Sequence, residues 1–207
     1  MKICPLCIVA AGVLAVGGGF LLGGAGALPS AREAATEVSA DAFAIDAVHS
    51  HVGFRIKHMN VSYSYGRFND VSGTFSIDKA SPEAAKIDIS VNATSIDTAN
   101  SKRDDHLRGA DFFSVKEFEK LTFKSTGAKK GTGDVIDVTG DLTFHGVTKS
   151  VTVPVTHTGE AAGRGGGRVA GFETALVIKR SDYGMNFMPQ VLGEDVTLII
   201  SIEGGTK

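Results

Sequence analysis

The fold class of this chain is decided by one stretch, Ile87-Asp88-Ile89-Ser90-Val91-Asn92-Ala93, in which apolar and polar side chains alternate strictly. Successive side chains of a β-strand point to opposite faces, so a period of two places all the apolar groups on one face. The alternation therefore predicts a strand that is buried on one side and solvated on the other.

The same alternation recurs along the rest of the chain and gives eight candidate strands in total. The other seven run from Val52 to Ile56, Val71 to Ile77, Leu121 to Phe123, Ile136 to Phe144, Val151 to Val155, Ala170 to Ile178 and Val196 to Ile202. Clusters of Gly, Asn, Asp and Ser separate these runs, which favours tight turns and an antiparallel meander.

Eight antiparallel strands can form either two packed sheets or a closed barrel. Four small residues, Gly73, Ala93, Gly140 and Ala170, fall on the apolar faces. Small side chains there would leave room inside a barrel, but glycine in a strand equally marks bulges and corners. The residues alone leave both arrangements open.

One segment departs from the strand pattern. The spacing of Ser101 and Asp104, with Gly109 after Arg108, predicts a short helix near residues 102–109. The segment that follows is rich in apolar side chains, Phe112, Phe113, Val115 and Phe118. We interpret it as a lid that packs across one end of the strands, because so many phenylalanines are rarely all solvated.

The N-terminus predicts export. No charged residue occurs between Ile3 and Ala31, and the sequence Ala25-Gly26-Ala27 matches a cleavage pattern. Residues 1–28 are therefore interpreted as a signal peptide or an uncleaved membrane anchor, and residues 29–43 as a polar linker. Both cysteines, Cys4 and Cys7, lie in the leader, so the exported part has no cysteine.

Net charge argues against a nucleic-acid partner. The chain of 207 residues carries 21 basic and 23 acidic side chains, for a formal net charge of −2. The basic residues are scattered and form no stripe along which phosphates could be neutralised.

Four separated motifs carry a resemblance to a known family. They are Asp46-x-x-His49-Ser50-x-Val52-x-Phe54-x-Ile56-Lys57-His58, Arg103-Asp104-Asp105-His106-Leu107, Gly140-Asp141-Leu142-Thr143-Phe144-His145-Gly146-Val147-Thr148 and Arg180-Ser181-Asp182-Tyr183-Gly184. In this order they resemble the YceI-like family. The resemblance implies that residues 44–207 form an all-β, eight-stranded antiparallel lipocalin-like barrel with a long apolar pore. It also implies a periplasmic or otherwise exported protein that binds lipid or polyisoprenoid chains.

We accordingly predict non-enzymatic binding of a polyisoprenoid or related lipid, such as a quinone-like or prenyl carrier, for transport, storage or stress protection. No other cofactor is predicted. Membrane association through the N-terminal segment and a homodimer are both compatible with the sequence. The inward apolar side chains predicted to bind the ligand are Phe54, Ile56, Phe75, Ile89, Val91, Phe123, Leu142, Phe144, Val153, Phe172, Leu176 and Leu198.

Two alternatives remain open. A metal-dependent or hydrolytic enzyme would use the histidines and aspartates, and His49-Ser50-His51 places two imidazoles on one strand face, a spacing that can chelate metal. We favour a hydrogen-bond network at a barrel end, with Arg103 or Arg180 paired to Asp104 or Asp182, and predict neither catalytic nor metal-binding residues. A surface interaction module would use the apolar residues between strands, which equally fit the rim of the pore: Tyr63, Tyr65, Met185, Phe187 and Met188.

Overall fold

The computed structural model describes residues 42–206, which fold into a single antiparallel sheet of eleven strands. The strands are β1 (Phe43–Ile45), β2 (His51–His58), β3 (Ser62–Phe68), β4 (Val71–Ser76), β5 (Lys86–Asn92), β6 (Ile96–Asp97), β7 (Lys120–Lys130), β8 (Val135–Phe144), β9 (Val147–Ala162), β10 (Arg168–Lys179) and β11 (Leu192–Gly205). One α-helix, α1, spans Ser101–Arg108, and short 3-10 helices span Pro82–Ala84, Ala93–Ser95, Arg164–Gly166 and Arg180–Tyr183.

The sheet closes on itself through its shortest N-terminal strand. Strand β1 pairs with β4 on one side and with β11 on the other, where Ala44 faces Thr74 and Gly205. Strands β1 and β2 both pair with β11, and β3 and β4 pair in turn with β2 and β1. These four strands therefore occupy two positions of the ring, and the predicted closed barrel of eight strands is confirmed.

Strand β3 was not predicted, because its sequence has no apolar stripe. The segment Ser62–Phe68 alternates serine with tyrosine and ends in Gly66, Arg67 and Phe68. Its sequence therefore predicts no buried face, and Phe68 is its one buried residue. Its place is set by the hairpin with β2, in which His58 faces Ser62. Met59 and Asn60 at the hairpin tip adopt left-handed conformations, as a tight connection between twisted strands requires.

Helix α1 is confirmed, with its start one residue earlier than predicted. The Asn100 side chain caps the helix by accepting a hydrogen bond from the Arg103 N–H at 3.0 Å. Ser101 is the first helical residue and not the cap. Buried Asp104 instead accepts hydrogen bonds from the Thr98 N–H at 2.9 Å and the Thr98 hydroxyl at 2.5 Å, which fix the helix to the segment after β6.

Aromatic rings close the barrel interior at two levels. At one end, which we call the Phe75 end, the Phe75 ring stacks on Phe43 and meets the edge of Phe172, at centroid distances of 5.4 and 5.1 Å. At the other, the Phe113 end, the Phe113 ring makes edge contacts with Phe68 and Phe144 at 5.5 and 5.6 Å. The predicted lid segment thus packs its buried Phe113 across one end of the strands.

The small residues on the apolar faces do not create the interior space, which corrects the sequence argument. A side chain at Gly140 would collide with the Phe123 ring and the Lys124 carbonyl, and one at Gly73 with the Asp88 carbonyl. Ala93 belongs to a 3-10 helix, and Ala170 is a buried residue of β10. The two glycines therefore allow close approach of a ring or a neighbouring strand.

The predicted leader and residues 29–41 of the linker lie outside the described residues. Strand β1 begins at Phe43, one residue before the predicted barrel boundary. Within residues 42–206, no helix combines the length and the apolar character that a bilayer crossing requires.

Candidate ligand-binding cavity

A cavity with an entirely apolar accessible surface lies inside the barrel. Its wall consists of Val52, Phe68, Ile87, Ile89, Val91, Leu121, Thr122, Phe123, Leu142, Phe144, Val151, Val153, Val155, Phe172, Thr174, Leu176, Leu198 and Ile200. The centre of a water-sized sphere can move through ≈ 90 Å³ of it, several times the about 10–15 Å³ that a single water molecule needs. The interior is therefore hollow and water-repelling.

Strand alternation explains how the sequence builds this wall. Odd-numbered residues face inward on β5 and β9, and even-numbered residues do so on β10 and β11. Leu176 and Leu198, which face each other across β10 and β11, are packed against the core but only partly buried. Their inward side chains thus retain surface that a ligand can cover.

The structure places nine of the twelve predicted ligand-binding residues on the cavity wall, while their role in binding stays a prediction. These nine are Ile89, Val91, Phe123, Leu142, Phe144, Val153, Phe172, Leu176 and Leu198. Phe54, Ile56 and Phe75 are not on the wall.

Each of these three departures has a local cause. A side chain at Gly66, which faces Phe54 across the β2–β3 ladder, would meet the Phe54 ring at 2.4 Å, so that ring covers Gly66. Phe75 is enclosed between the rings of Phe43 and Phe172. Ile56 lies nearer the β2–β3 hairpin tip, opposite Ser64 and Val196.

Two wall residues escaped the sequence reasoning for different reasons. Phe68 ends strand β3, which the alternation did not reveal. Thr174 occupies an inward position between Phe172 and Leu176, where a polar residue interrupts the apolar pattern. The remaining wall residues that were not predicted to bind ligand are Val52, Ile87, Leu121, Thr122, Val151, Val155 and Ile200, all of which lie within predicted strands.

A buried arginine organises the loop at the Phe113 end. Arg180 donates hydrogen bonds to the carbonyls of Met185, Phe187, Gly193 and Leu192, at 2.7, 2.8, 3.0 and 3.4 Å. Only 4% of its surface is exposed. This side chain therefore holds residues 185–193 against the barrel.

The predicted pairing of arginine with aspartate is wrong in its details. Arg180 is bonded to carbonyls, and Asp182 forms its ion pair with Lys149 at 2.9 Å. Arg103 donates to the Thr98 hydroxyl at 2.7 Å, and that hydroxyl donates to Asp104. A polar network does exist beside the barrel, but a threonine mediates it because Thr98 lies between the two charged side chains.

Residues 43–204 match the model of the YceI-like domain, which is well over half of the chain. The chain belongs to the YceI family. It is 44% identical to Protein YceI of Escherichia coli O157:H7 over 156 residues, which cover 75% of this chain and 81% of that protein.

Solved structures share the YceI fold with this chain. BcnA of Burkholderia cenocepacia superposes with a TM-score of 0.71 at 26% identity, covering 77% of this chain and 99% of that one. A polyisoprenoid binding domain from Saccharophagus degradans superposes with a TM-score of 0.59, covering 80% and 98% of the two chains. At 16% identity, the second likeness shows the fold alone.

The first motif of this YceI-like domain forms a charged cluster outside the cavity. Asp46, His49 and Glu203 place their ligand-type atoms within 4.8 Å of one another. The His49 Nδ1 atom lies 2.9 Å from an Asp46 carboxylate oxygen and 3.7 Å from Glu203, and all three side chains are substantially exposed. The arrangement is explained by surface ion pairing.

His49 and His51 do not share a strand face, which corrects the sequence interpretation. His49 lies in a bend before β2 begins, because the chain turns there between β1 and β2 and the Val48 N–H bonds to Asp46. His51, the first residue of β2, instead lies with Arg67 in a groove lined by β2 and β3. The two imidazoles therefore belong to different surroundings.

These surroundings predict that the two histidines titrate on opposite sides of the ordinary value of 6.5. The hydrogen bond to Asp46, together with the charge of Glu203, raises the pKa of His49. Burial, with the charge of Arg67, lowers the pKa of His51. We expect NMR titration of the imidazole protons to resolve the two, with His49 deprotonating at the higher pH.

The dependence of folding stability on pH has opposite signs for His49 and His51. The His49 interaction stabilises the fold below pH 6.5 and is lost as the pH rises through its raised pKa. The His51 contribution is present above pH 6.5 and is lost as the pH falls towards its lowered pKa. Asp46→Asn serves as the control, since it should return the pKa of His49 towards 6.5 and leave the pKa of His51 unchanged. Coincident titrations in the unmodified protein would contradict this assignment.

Proposed function

We propose that this YceI-family protein binds one long-chain polyisoprenoid or related lipid inside its barrel and acts as a carrier, without catalysis. The observation that carries the proposal is the hollow interior with an entirely apolar accessible surface. An apolar tail in water gains free energy by entering such a space, whereas a polar solute would lose its hydration there.

The expected free energy is sufficient for tight binding. Burying about 15 carbons at roughly 0.8 kcal/mol per methylene yields on the order of 10 kcal/mol before the cost of association is subtracted. Because the wall is made of aliphatic and phenylalanine side chains, a flexible tail could follow its shape.

The Phe113 end offers a route of entry for such a tail. The Met59 N–H bonds to the Val191 carbonyl, so the β2–β3 hairpin tip meets the loop that Arg180 holds. Exposed apolar side chains of this region include Met59, Val61, Phe187 and Met188. The Phe187 ring contacts Phe112, which precedes the ring that closes the cavity. We propose that the tail enters between these elements.

The binding role also fits the exported location that residues 1–28 predict. A prenyl or acyl tail is nearly insoluble outside a membrane, so a protein that encloses it could serve its transport, storage or protection. Saccharophagus degradans uses the same fold in a domain described as polyisoprenoid-binding, although its low identity transfers no ligand to this chain. The ligand class proposed here therefore depends on the family membership and on the cavity.

Native mass spectrometry of the protein purified from its own host tests this proposal. We expect a mass increment of one lipid per chain, and organic extraction should release a long-chain isoprenoid or related lipid. The unloaded protein should also take up a prenyl alcohol at near one equivalent. A bare chain that takes up no prenyl compound would overturn the proposal, and stoichiometric metal without lipid would favour a role for Asp46, His49 and Glu203.

A further inference from the structure

Two threonines, Thr122 and Thr174, interrupt the otherwise apolar cavity wall, and Thr174 does so without an evident structural reason. Thr174 contributes its methyl group to the wall, because the accessible surface of the cavity is apolar, while its hydroxyl oxygen is buried and has no hydrogen-bond partner among residues 42–206. Its main chain lies between paired strands, opposite Val155 of β9 and Ile200 of β11. A valine would fill the same space without leaving a hydroxyl unsatisfied.

A second unsatisfied polar atom lies on the same face of the neighbouring strand. His157 continues the inward alternation of Val153 and Val155, and it faces Phe172 across the β9–β10 ladder. The His157 Nε2 atom is also buried without a partner in the described part of the chain. In either ring tautomer this atom supplies one hydrogen-bonding function.

The two unsatisfied atoms lie towards one end of the barrel, and of the two residues only Thr174 belongs to the cavity wall. Thr174 is the first inward residue after Phe172, whose ring belongs to the Phe75 end. The opposite end is bounded by Phe68 and Phe144, beneath the Phe113 ring. The unsatisfied atoms therefore lie towards the Phe75 end, away from the lid segment.

From this geometry, and resting on the proposed lipid-binding function, we propose that Thr174 is an internal anchor for an oxygen-bearing head group. The bound lipid would be a prenyl alcohol or a prenyl quinone that enters head first. Its hydroxyl or carbonyl oxygen bonds to the Thr174 hydroxyl, and a second oxygen, where present, can reach His157. The tail extends towards the Phe113 end.

A bound water is a weaker explanation for the unsatisfied hydroxyl. An ordered buried water usually needs two to four polar partners, but the accessible surface of this cavity is apolar. Rotation of the Thr174 side chain about χ1 exchanges the positions of its methyl and hydroxyl groups, so that a lipid head group meets the hydroxyl while its attached tail covers the hydrocarbon wall.

The anchor is tested with Thr174→Val and two matched ligands, a twenty-carbon prenyl alcohol and the corresponding hydrocarbon without the hydroxyl. We expect Thr174→Val to weaken binding of the alcohol by about 5- to 10-fold and to leave binding of the hydrocarbon unchanged. Unloaded Thr174→Val should also have a higher Tm than the unloaded parent, because an unpaired buried hydroxyl has been removed. Thr197→Val is the control, since Thr197 lies on the outer face of β11 by alternation with Leu198.

The outcomes separate this inference from the proposed function. Equal affinities of Thr174→Val and the parent for the alcohol, or equal losses for both ligands, would overturn the anchor and leave lipid binding intact. Failure of the parent protein to bind either ligand would overturn both. With a prenyl quinone, His157→Leu should weaken binding by about 3- to 10-fold, while an unchanged affinity would remove His157 from the anchor.

The head-first orientation has its own test. An alcohol with a photoreactive group at the far end of its tail is expected to cross-link to residues of the Phe113 end. Cross-linking to Phe75 or Phe172 instead would reverse the orientation and overturn this part of the inference.

Discussion

Leu176→Asp is expected to reduce the affinity for a long-chain prenyl ligand by at least about 100-fold, because a carboxylate in the wall must lose its hydration when a tail covers it. In the empty barrel, the introduced carboxylate gives water a polar partner that the unmodified wall lacks, and the space is large enough for water to hydrate the charge. The penalty therefore falls mainly on the ligand-bound state. Titration with a prenyl alcohol, followed by fluorescence or calorimetry, measures it.

The adjacent residue provides the matched control. Val177 lies on the outer face of the same strand with 60% of its surface exposed, so Val177→Asp introduces the same charge without reaching the cavity. We expect the affinity of Val177→Asp for the prenyl ligand to equal that of the unmodified protein. Leu176→Gln, which carries no charge, should show an intermediate loss if Leu176→Asp does not fold. Full affinity in a folded Leu176→Asp or Leu176→Gln variant would show that the ligand does not occupy this cavity.

The second large effect concerns stability. Arg180→Met should lower the free energy of unfolding by about 3 to 5 kcal/mol, because it leaves four buried or partly buried carbonyl oxygens without their donor. Four carbonyls in the segment from Met185 to Gly193 depend on this guanidinium. Methionine retains much of the apolar stem, so the loss reports the hydrogen bonds more than the packing. Urea denaturation followed by circular dichroism provides the measurement.

Lys179→Met is the control for the loss of a positive charge at the next residue. Lys179 forms an exposed ion pair with Asp195 at 3.0 Å, and exposed pairs contribute little to stability. We expect its urea midpoint to stay near that of the unmodified protein. Similar midpoints for Arg180→Met and Lys179→Met would mean that the Arg180 hydrogen bonds do not hold the loop.

The alternation of apolar and polar side chains was sufficient to predict most of the strands. It predicted the inward face of β5 through Ile87, Ile89 and Val91, since a period of two identifies the buried face wherever one face is solvated. It failed for β3, in which small polar residues alternate with tyrosines, and the position of that strand follows from its hairpin with β2. The short strand β1 was also missed because it offers only three residues to a pattern.

Details of the cavity wall and of the surface around it were less predictable because they depend on residues far apart in sequence. The orientation of Phe54 is set by the absence of a side chain at Gly66 on the facing strand. The Asp46 and His49 cluster is completed by Glu203 from the last strand. Thr174 was overlooked because the alternation predicts an apolar side chain at its position, so the departure from the rule became informative only inside the cavity.

Closure through β1 makes the barrel dependent on both extremes of the described chain. Ala44 faces Gly205, so the ring stays an open, curved sheet until the last strand has arrived. A polypeptide that emerges in order from a ribosome or a translocation channel cannot complete this structure early, because such a distant pairing forms last and slowly. Late closure therefore delays formation of the enclosed apolar cavity until the last strand, Leu192–Gly205, has been synthesised and has paired with β1.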